Sequence, residues 1–267
     1  MSRDGTGILV FGHTRLDHIL LTLESLGRQG CLPRTEVWLD GHSAHQEWKP
    51  RVRAVRKAVA DAYPEVRRTF YEGRVGIEKL MLDALSAASE RYERIIVLED
   101  DCFPTRDAIT LFEEALGIAA ADPASYSVYG HPFLVPAEGD TITRFQGWGW
   151  ATSSEKLVAL LPDLRRCFAM SEPEYLAFVE RSLTPDVCAR LDVTPGRDVI
   201  NVLRSFFSWD SCTALLAAQR GLHHRRTRKR AVYNCGMGPD SSHFATSELL
   251  RNPPYNMISL HEAFDHW

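Results

Sequence analysis

Apolar and polar positions alternate in two rhythms along the first half of the chain. Short strand-like runs occur at Ile8 to Phe11, Glu36 to Leu39, Val66 to Tyr71 and Ile95 to Leu98. Between them, apolar residues recur at helical spacing: Leu16, Ile19, Leu20, Leu23 and Leu26; then Val52, Val55, Val59 and Ala62; then Ile77, Leu80, Met81, Ala84, Leu85 and Ala88. Strands that alternate with helices predict an α/β fold whose parallel sheet is covered on both faces. The pattern is less regular from about Ser125 onward. Tyr126 to Gly130 reads as a short strand. Thr152-x-x-Glu155 and Ser171-x-x-Glu174 fit capping boxes and predict helices from near 153 and 172. Pro173 suits a first helical turn. Arg197 to Phe207 and Ser211 to Arg220 are further helix candidates. No repeat and no linker divides the chain, which predicts one domain over 1–267.

Charge and composition narrow the function classes. The 267 residues carry a net charge of -4, which disfavours a basic nucleic-acid binder. No run approaches the roughly 18 apolar residues of a membrane span. Residues 1–7 are short and polar, and the apolar run after them is too short for a signal-peptide core. Cys31, Cys102, Cys167, Cys188, Cys212 and Cys235 are scattered without a C-x-x-C pair. They read as reduced thiols of a cytoplasmic protein and argue against structural zinc.

The chemistry gathers at strand ends. Gly12-His-Thr-Arg15 follows the first run, Asp40-Gly-His42 the second, and Glu99-Asp-Asp101 the fourth. In open α/β sheets ligands sit at the carboxyl ends of strands. Three adjacent carboxylates repel one another, and a hard divalent cation such as Mn²⁺ or Mg²⁺ would relieve that repulsion; a solvated acidic turn is the plainer reading. Trp148 and Trp150 flank Gly149, as either an aromatic wall for a sugar or core packing. On a strand they would point to opposite faces, so only one could line a site. Asp210 follows Trp209 at a helix start and could serve as a general base, with Asp198 as its competitor. The basic run His223 to Arg230 reads as a solvated loop. A phosphorylated acceptor or peripheral contact of Arg225–Arg230 with an anionic membrane is the alternative.

An ordered set of these motifs resembles the GT-A-fold glycosyltransferases over about 8 to 245. Ile95-Ile-Val-Leu-Glu-Asp-Asp101 is similar to their Asp-x-Asp-type metal motif. Val10 to Arg15 with Leu20 to Leu26 resembles their opening strand and helix, and Asp40 their acidic residue after the second strand. Phe145-Gln-Gly-Trp-Gly-Trp-Ala-Thr152 looks like an acceptor-side segment. Phe207-Ser-Trp-Asp210 is similar to the base-bearing segment of the N-acetylglucosaminyltransferase I type. Asn234 to His243 resembles the ending of bacterial sugar transferases, except that Pro239-Asp-Ser-Ser242 stands where they carry a glycine-rich run.

The resemblance implies a Rossmann-like nucleotide-binding sheet with helices on both faces, merged with a smaller acceptor-side half. Residues 8–124 would hold the nucleotide sugar and 125–267 the acceptor. It implies metal-dependent, inverting transfer of a sugar to a hydroxyl of a glycan, glycolipid or other sugar-bearing acceptor. Phe11, Gly12, Arg15, Asp40, Glu99 and Asp100 would contact the nucleotide sugar. Asp101 would hold the metal, with His243 as a second metal or diphosphate contact. Trp148, Gly149 and Trp150 would meet the acceptor. Two other functions stand as alternatives. A sugar-phosphate nucleotidyltransferase would need a glycine-rich loop after the first strand, where Gly12-His-Thr-Arg15 has one glycine. A non-catalytic nucleotide- or carbohydrate-binding protein would not need Asp101, Asp210 and His243.

Overall fold

The computed structural model describes residues 3–42, 47–133, 136, 138–192, 208–238 and 248–267. The helix expected over Arg197 to Phe207, and with it Asp198, lies outside the described residues, as do Pro239 to Ser242 and His243.

The first half forms β1 (Asp4–Gly12), α1 (Leu16–Arg28), β2 (Thr35–Leu39), α2 (Trp48–Ala62), β3 (Arg67–Phe70), α3 (Ile77–Arg91) and β4 (Tyr92–Glu99). Then follow β5 (Cys102–Pro104), α4 (Ala108–Ala119), β6 (Ser125–Tyr129), β7 (Thr141–Ile142) and β8 (Trp150–Ser153). The helices α5 (Ser154–Phe168), α6 (Glu172–Ser182), α7 (Pro185–Leu191) and α8 (Trp209–Gln219) lead to β9 (His223–Arg226) and β10 (Val232–Asn234).

One eight-stranded sheet runs in the order β3-β2-β1-β4-β8-β6-β9-β7. Its first four strands are parallel, and β8 pairs antiparallel with both β4 and β6. This is the α/β arrangement with helices on both faces that the strand–helix alternation predicts. Because side chains alternate along a strand, β1 sends Leu9 and Phe11 to one face and Ile8 and Val10 to the other. The first pair joins a core with α3, α5 and α8, and the second a core with α1, α2 and α4. Ile95 to Leu98 on β4 are at most 1% exposed, as a strand covered on both faces requires.

Local expectations need two corrections. Helix α5 is capped by Ser153, whose hydroxyl accepts from Lys156 N, and not by Thr152. Thr152 is a fully buried β8 residue whose hydroxyl donates to the carbonyl of Tyr126, so a β-branched side chain stays in the strand and the cap falls one residue later. His223 to Arg226 form strand β9, parallel to β6, in place of the expected solvated loop. The driving residue is His224, fully buried among Tyr126 and Phe145 and hydrogen-bonded to the Ser127 hydroxyl at 2.8 Å. Burial holds it neutral, with its pKa pulled down to about 3. The capping box of α6 forms as expected, with Glu174 accepting from Ser171 N at 2.8 Å. Among the described residues no helix is long and apolar enough to cross a membrane.

Candidate active site

The carboxyl ends of β1, β2 and β4 share one edge, and the polar segments that follow them meet there. Gly12 ends β1 against the side chains of Ile19 and Leu39. Arg15, just before α1, places its guanidinium across the two aspartates after β4. It donates to Asp101 Oδ2 at 2.9 Å and to Asp100 Oδ1. Burial alone would lower the Arg15 pKa, but the carboxylates of Asp100 and Asp101 outweigh it and hold the guanidinium above its ordinary range. Phe11, expected near the nucleotide, puts its side chain into the core at 2% exposure.

Four carboxyl groups, from Glu99, Asp100, Asp101 and Asp210, crowd this edge. Burial pushes the Glu99 pKa up to about 8, and the charges of Asp101, Asp210 and Asp100 push the same way against Arg15. Asp100 is likewise raised by burial, with Arg15 opposing. The chain after β4 is held by Thr22, whose hydroxyl donates to Asp100 O at 3.0 Å. The antiparallel pairing of β5 with β10 then brings Asn234-Cys-Gly236 onto Asp101. Cys235 N donates to Asp101 O at 2.8 Å. A Cβ on Gly236 would lie 2.2 Å from Asp101 Oδ2, so only glycine fits against that carboxylate.

Asp210 reaches the edge from the second half. It stands in the first turn of α8, where the helix dipole favours a carboxylate, and accepts from the Ser208 hydroxyl. The preceding Trp209 anchors the helix start by stacking on Trp150, with ring centres 5.9 Å apart. Gly147 lies against both: a Cβ there would be 3.2 Å from Asp210 Cβ and from the Trp209 ring. The segment around Gly147 and the Trp209-Asp210 segment therefore touch.

The two tryptophans around Gly149 part at a turn, because β8 begins only at Trp150 and Trp148 lies before it. Trp150 is 1% exposed and packs with Tyr126 and Phe145 in the core, so it offers no wall to a ligand. Trp148 is half-buried, edge-on to His131 and Phe133. Gly149 makes the turn between them at φ +68°, with its α-carbon close on Val232.

Asp40 is 6% exposed, and the protein itself uses its carboxylate. Oδ1 accepts from Gly41 N at 2.8 Å and Val75 N at 2.7 Å, and Oδ2 accepts from Gly76 N at 3.1 Å. It ties the end of β2 to the loop before α3. Beside it His13 Nε2 donates to Gly41 O at 2.9 Å and meets Trp48 edge-on, while Arg74 lies over the Trp48 ring. Burial lowers the His13 pKa and favours the neutral ring. Sequence reasoning passed over His13, Trp48, Arg74 and Glu78. Glu78, in the first turn of α3, is raised by burial and feels Arg74, Asp210 and Asp40. Its polar position inside an apolar stripe was the available signal.

Among the described residues no three His, Cys, Asp or Glu side chains are grouped to cage a metal. The acidic edge still suits a hard cation. Burial, reinforced by the charges of Asp101, Asp210 and Asp100, pushes Glu99 up to about 8 and marks a place where added positive charge is favourable. One protein carboxylate completed by phosphate oxygens and water is the usual manner of Mg²⁺-type binding. Most of the basic run faces acids of its own surface. Arg226 pairs with Asp140 at 3.0 Å, Arg225 with Asp140 at 3.5 Å, and Arg228 with Glu114 at 2.7 Å. All six cysteines are buried and free.

No family model matches the chain, and no curated protein matches it. Solved structures do resemble it. A mannose-1-phosphate geranyltransferase from Thermus thermophilus aligns at 13% identity over 84% of this chain and 74% of its own, with a TM-score of 0.43. The mannosyltransferase PcManGT of Pyrobaculum calidifontis, in complex with GDP-Man and Mn²⁺, aligns at 17% identity over 82% and 74%, with a TM-score of 0.43. The 4-diphosphocytidyl-2C-methyl-D-erythritol synthase of Anaerococcus prevotii aligns at 11% identity over 66% and 85%, with a TM-score of 0.40. Likeness at this level concerns the chain path alone.

Proposed function

We propose that the protein is a metal-dependent, inverting glycosyltransferase that moves a sugar from a nucleotide-sugar donor to an acceptor hydroxyl. The observation that carries this reading is that Asp210, delivered by α8, acts on Glu99 at the acidic triplet after β4, whose two aspartates Arg15 bridges. In this reading residues 8–124 hold the nucleotide and 125–267 the acceptor. The edge around His13, Asp40 and Trp48 takes the base and ribose, and Glu99 and Asp100 lie beside the sugar. Asp101 would hold Mn²⁺ or Mg²⁺, which supplies charge neutralisation for the leaving diphosphate. Asp210 accepts the proton of the acceptor hydroxyl as its oxygen attacks the anomeric carbon. The bond from that carbon to the diphosphate breaks on the opposite side, so the configuration inverts. A hexosyl or N-acetylhexosaminyl donor and a glycan, glycolipid or lipid-linked acceptor fit this scheme. The chain would then work in polysaccharide assembly in the cytoplasm.

The test is turnover of a nucleotide-sugar panel with Mn²⁺, with and without chelator. Release of nucleoside diphosphate that stops with chelator, and in Asp101→Ala, is expected. Nucleotide affinity that is the same with and without Mn²⁺ would overturn the metal-dependent scheme. Pyrophosphate release from a nucleoside triphosphate and a sugar phosphate would indicate a nucleotidyltransferase instead.

A further inference from the structure

Arg230 stands apart from the other arginines of the basic run. Arg225, Arg226 and Arg228 each have a carboxylate partner, whereas the Arg230 guanidinium has none among the described residues. It is half-buried, and desolvation lowers its pKa with only Tyr233 opposing. Its contacts among the described residues are one hydrogen bond to His131 Nδ1, at 3.1 Å, and the Tyr233 ring, whose centre is 4.8 Å from its central carbon. His131 is fully buried and its pKa is pulled down to about 4 by burial, so its ring is neutral. Its Nε2 lies 2.7 Å from Tyr255 O, and its Nδ1 faces both Val232 O at 3.2 Å and the Arg230 guanidinium, so Nδ1 accepts from Arg230 in the tautomer protonated on Nε2. The fork therefore lies against a buried, neutral imidazole, while most of its five N–H donors are unmatched by any anion of the described residues.

The surroundings define what would match them. Trp148 meets His131 edge-on, and Phe133 meets both Trp148 and Tyr255. A desolvated cation with the Tyr233 ring against it, beside the ring cluster around His131, suits an oxyanion attached to an apolar or ring-bearing group. Its position bears on the source. His131 senses the charge of Asp101, but no carboxylate of the described residues acts on Arg230 itself. Through its contact with His131, Arg230 lies on the Trp148 side of the acidic centre.

We propose that Arg230, held against His131 and the Tyr233 ring and linked through His131 to Trp148, is a subsite for a phosphate or carboxylate borne by the acceptor. Assigning the anion to the acceptor rests on the glycosyltransferase reading; the anion subsite itself does not.

The test uses the full chain and simple probes. Phenyl phosphate and benzoate are titrated against the wild type and Arg230→Gln, following tryptophan fluorescence and calorimetry. UDP and GDP with Mn²⁺ form the second arm. Loss of charge-assisted hydrogen bonds should raise the Kd of the favoured aromatic anion by about 10- to 100-fold in Arg230→Gln. Arg230→Lys, which keeps the charge and loses the fork, should lie between. The nucleoside diphosphates should shift less than about threefold. Thermal unfolding of both variants separates ligand loss from misfolding. No binding of either probe to the wild type, or equal binding to Arg230→Gln, would overturn the proposal. So would a loss as large for the nucleoside diphosphates, which would place the donor's own phosphates at Arg230. Probe binding that depends on Arg230, in a protein that turns over no nucleotide sugar, would keep the anion subsite and remove the glycosyltransferase reading.

Discussion

The carboxylate of Asp40 accepts three backbone N–H groups, so before it can meet any nucleotide it clamps the end of β2 to the loop ahead of α3. A side chain used in this way has a stability role that its place in a motif does not announce. Removing it leaves donors with no acceptor in a site that is 6% exposed. Each buried donor left unpaired costs about 1–3 kcal/mol. Asp40→Ala should therefore lose about 2 kcal/mol or more in urea unfolding, together with nucleotide affinity. Asp40→Asn should lose less, because the amide oxygen can still accept from Gly41 and Val75. An Ala variant as stable as the parent, but weak in nucleotide binding, would show that the clamp carries no net stability and that Asp40 acts on the ligand alone.

The decisive element is the short antiparallel pair of β5 and β10, which sets Gly236 flush against Asp101. A methyl group there would meet Asp101 Oδ2, Cγ and Cβ at 2.2, 2.9 and 3.0 Å, so the whole carboxylate would have to swing away. Gly236→Ala should keep the fold, since Asp101 is only half-buried, and should weaken Mn²⁺-dependent nucleotide binding at least about tenfold. Calorimetry with Mn²⁺ and with chelator reads this directly; unchanged affinity would mean that Asp101 does not hold the cation. This contact was partly legible. Asp101 is recognisable at a strand end and Gly236 in a motif, but nothing local says that β10 folds back onto β5. The same limit applies elsewhere. Apolar stripes such as Ile77 to Ala88 and the run Ile95 to Leu98 predict α3 and β4, because burial on a helix face or sheet has a period. His223 to Arg226 reads as a loop because its composition is basic; its strand state comes from pairing with β6 and from the cage around His224. Both are non-local. His13 and Glu78 escape notice for a similar reason, as their roles depend on Gly41, Arg74 and Asp210, all outside their own helix or turn.

At the scale of the molecule, the sheet does not stop at the change of pattern near Ser125. Strand β8 pairs with β4 and then with β6, so the second half is built onto the first through a continuous ladder. Trp209 stacks on Trp150 of β8, and this contact carries Asp210 to the acidic edge of the first half. A base supplied by one half, facing a donor held by the other, belongs on the acceptor side of the reacting carbon. Asp210→Asn keeps the shape and removes the proton-accepting oxygen, so transfer should fall by about 10²- to 10⁴-fold. Nucleotide affinity should change far less, because the side chain would meet the acceptor hydroxyl. Asp198→Asn is the control, since Asp198 competes for the role on sequence grounds. If that variant loses transfer while Asp210→Asn retains near-normal turnover, the base is misassigned. The anomeric configuration of the product supplies an independent reading. One base acting in line with the departing diphosphate requires inversion, so a product that retains the donor's configuration would reject the mechanism even with Asp210 essential.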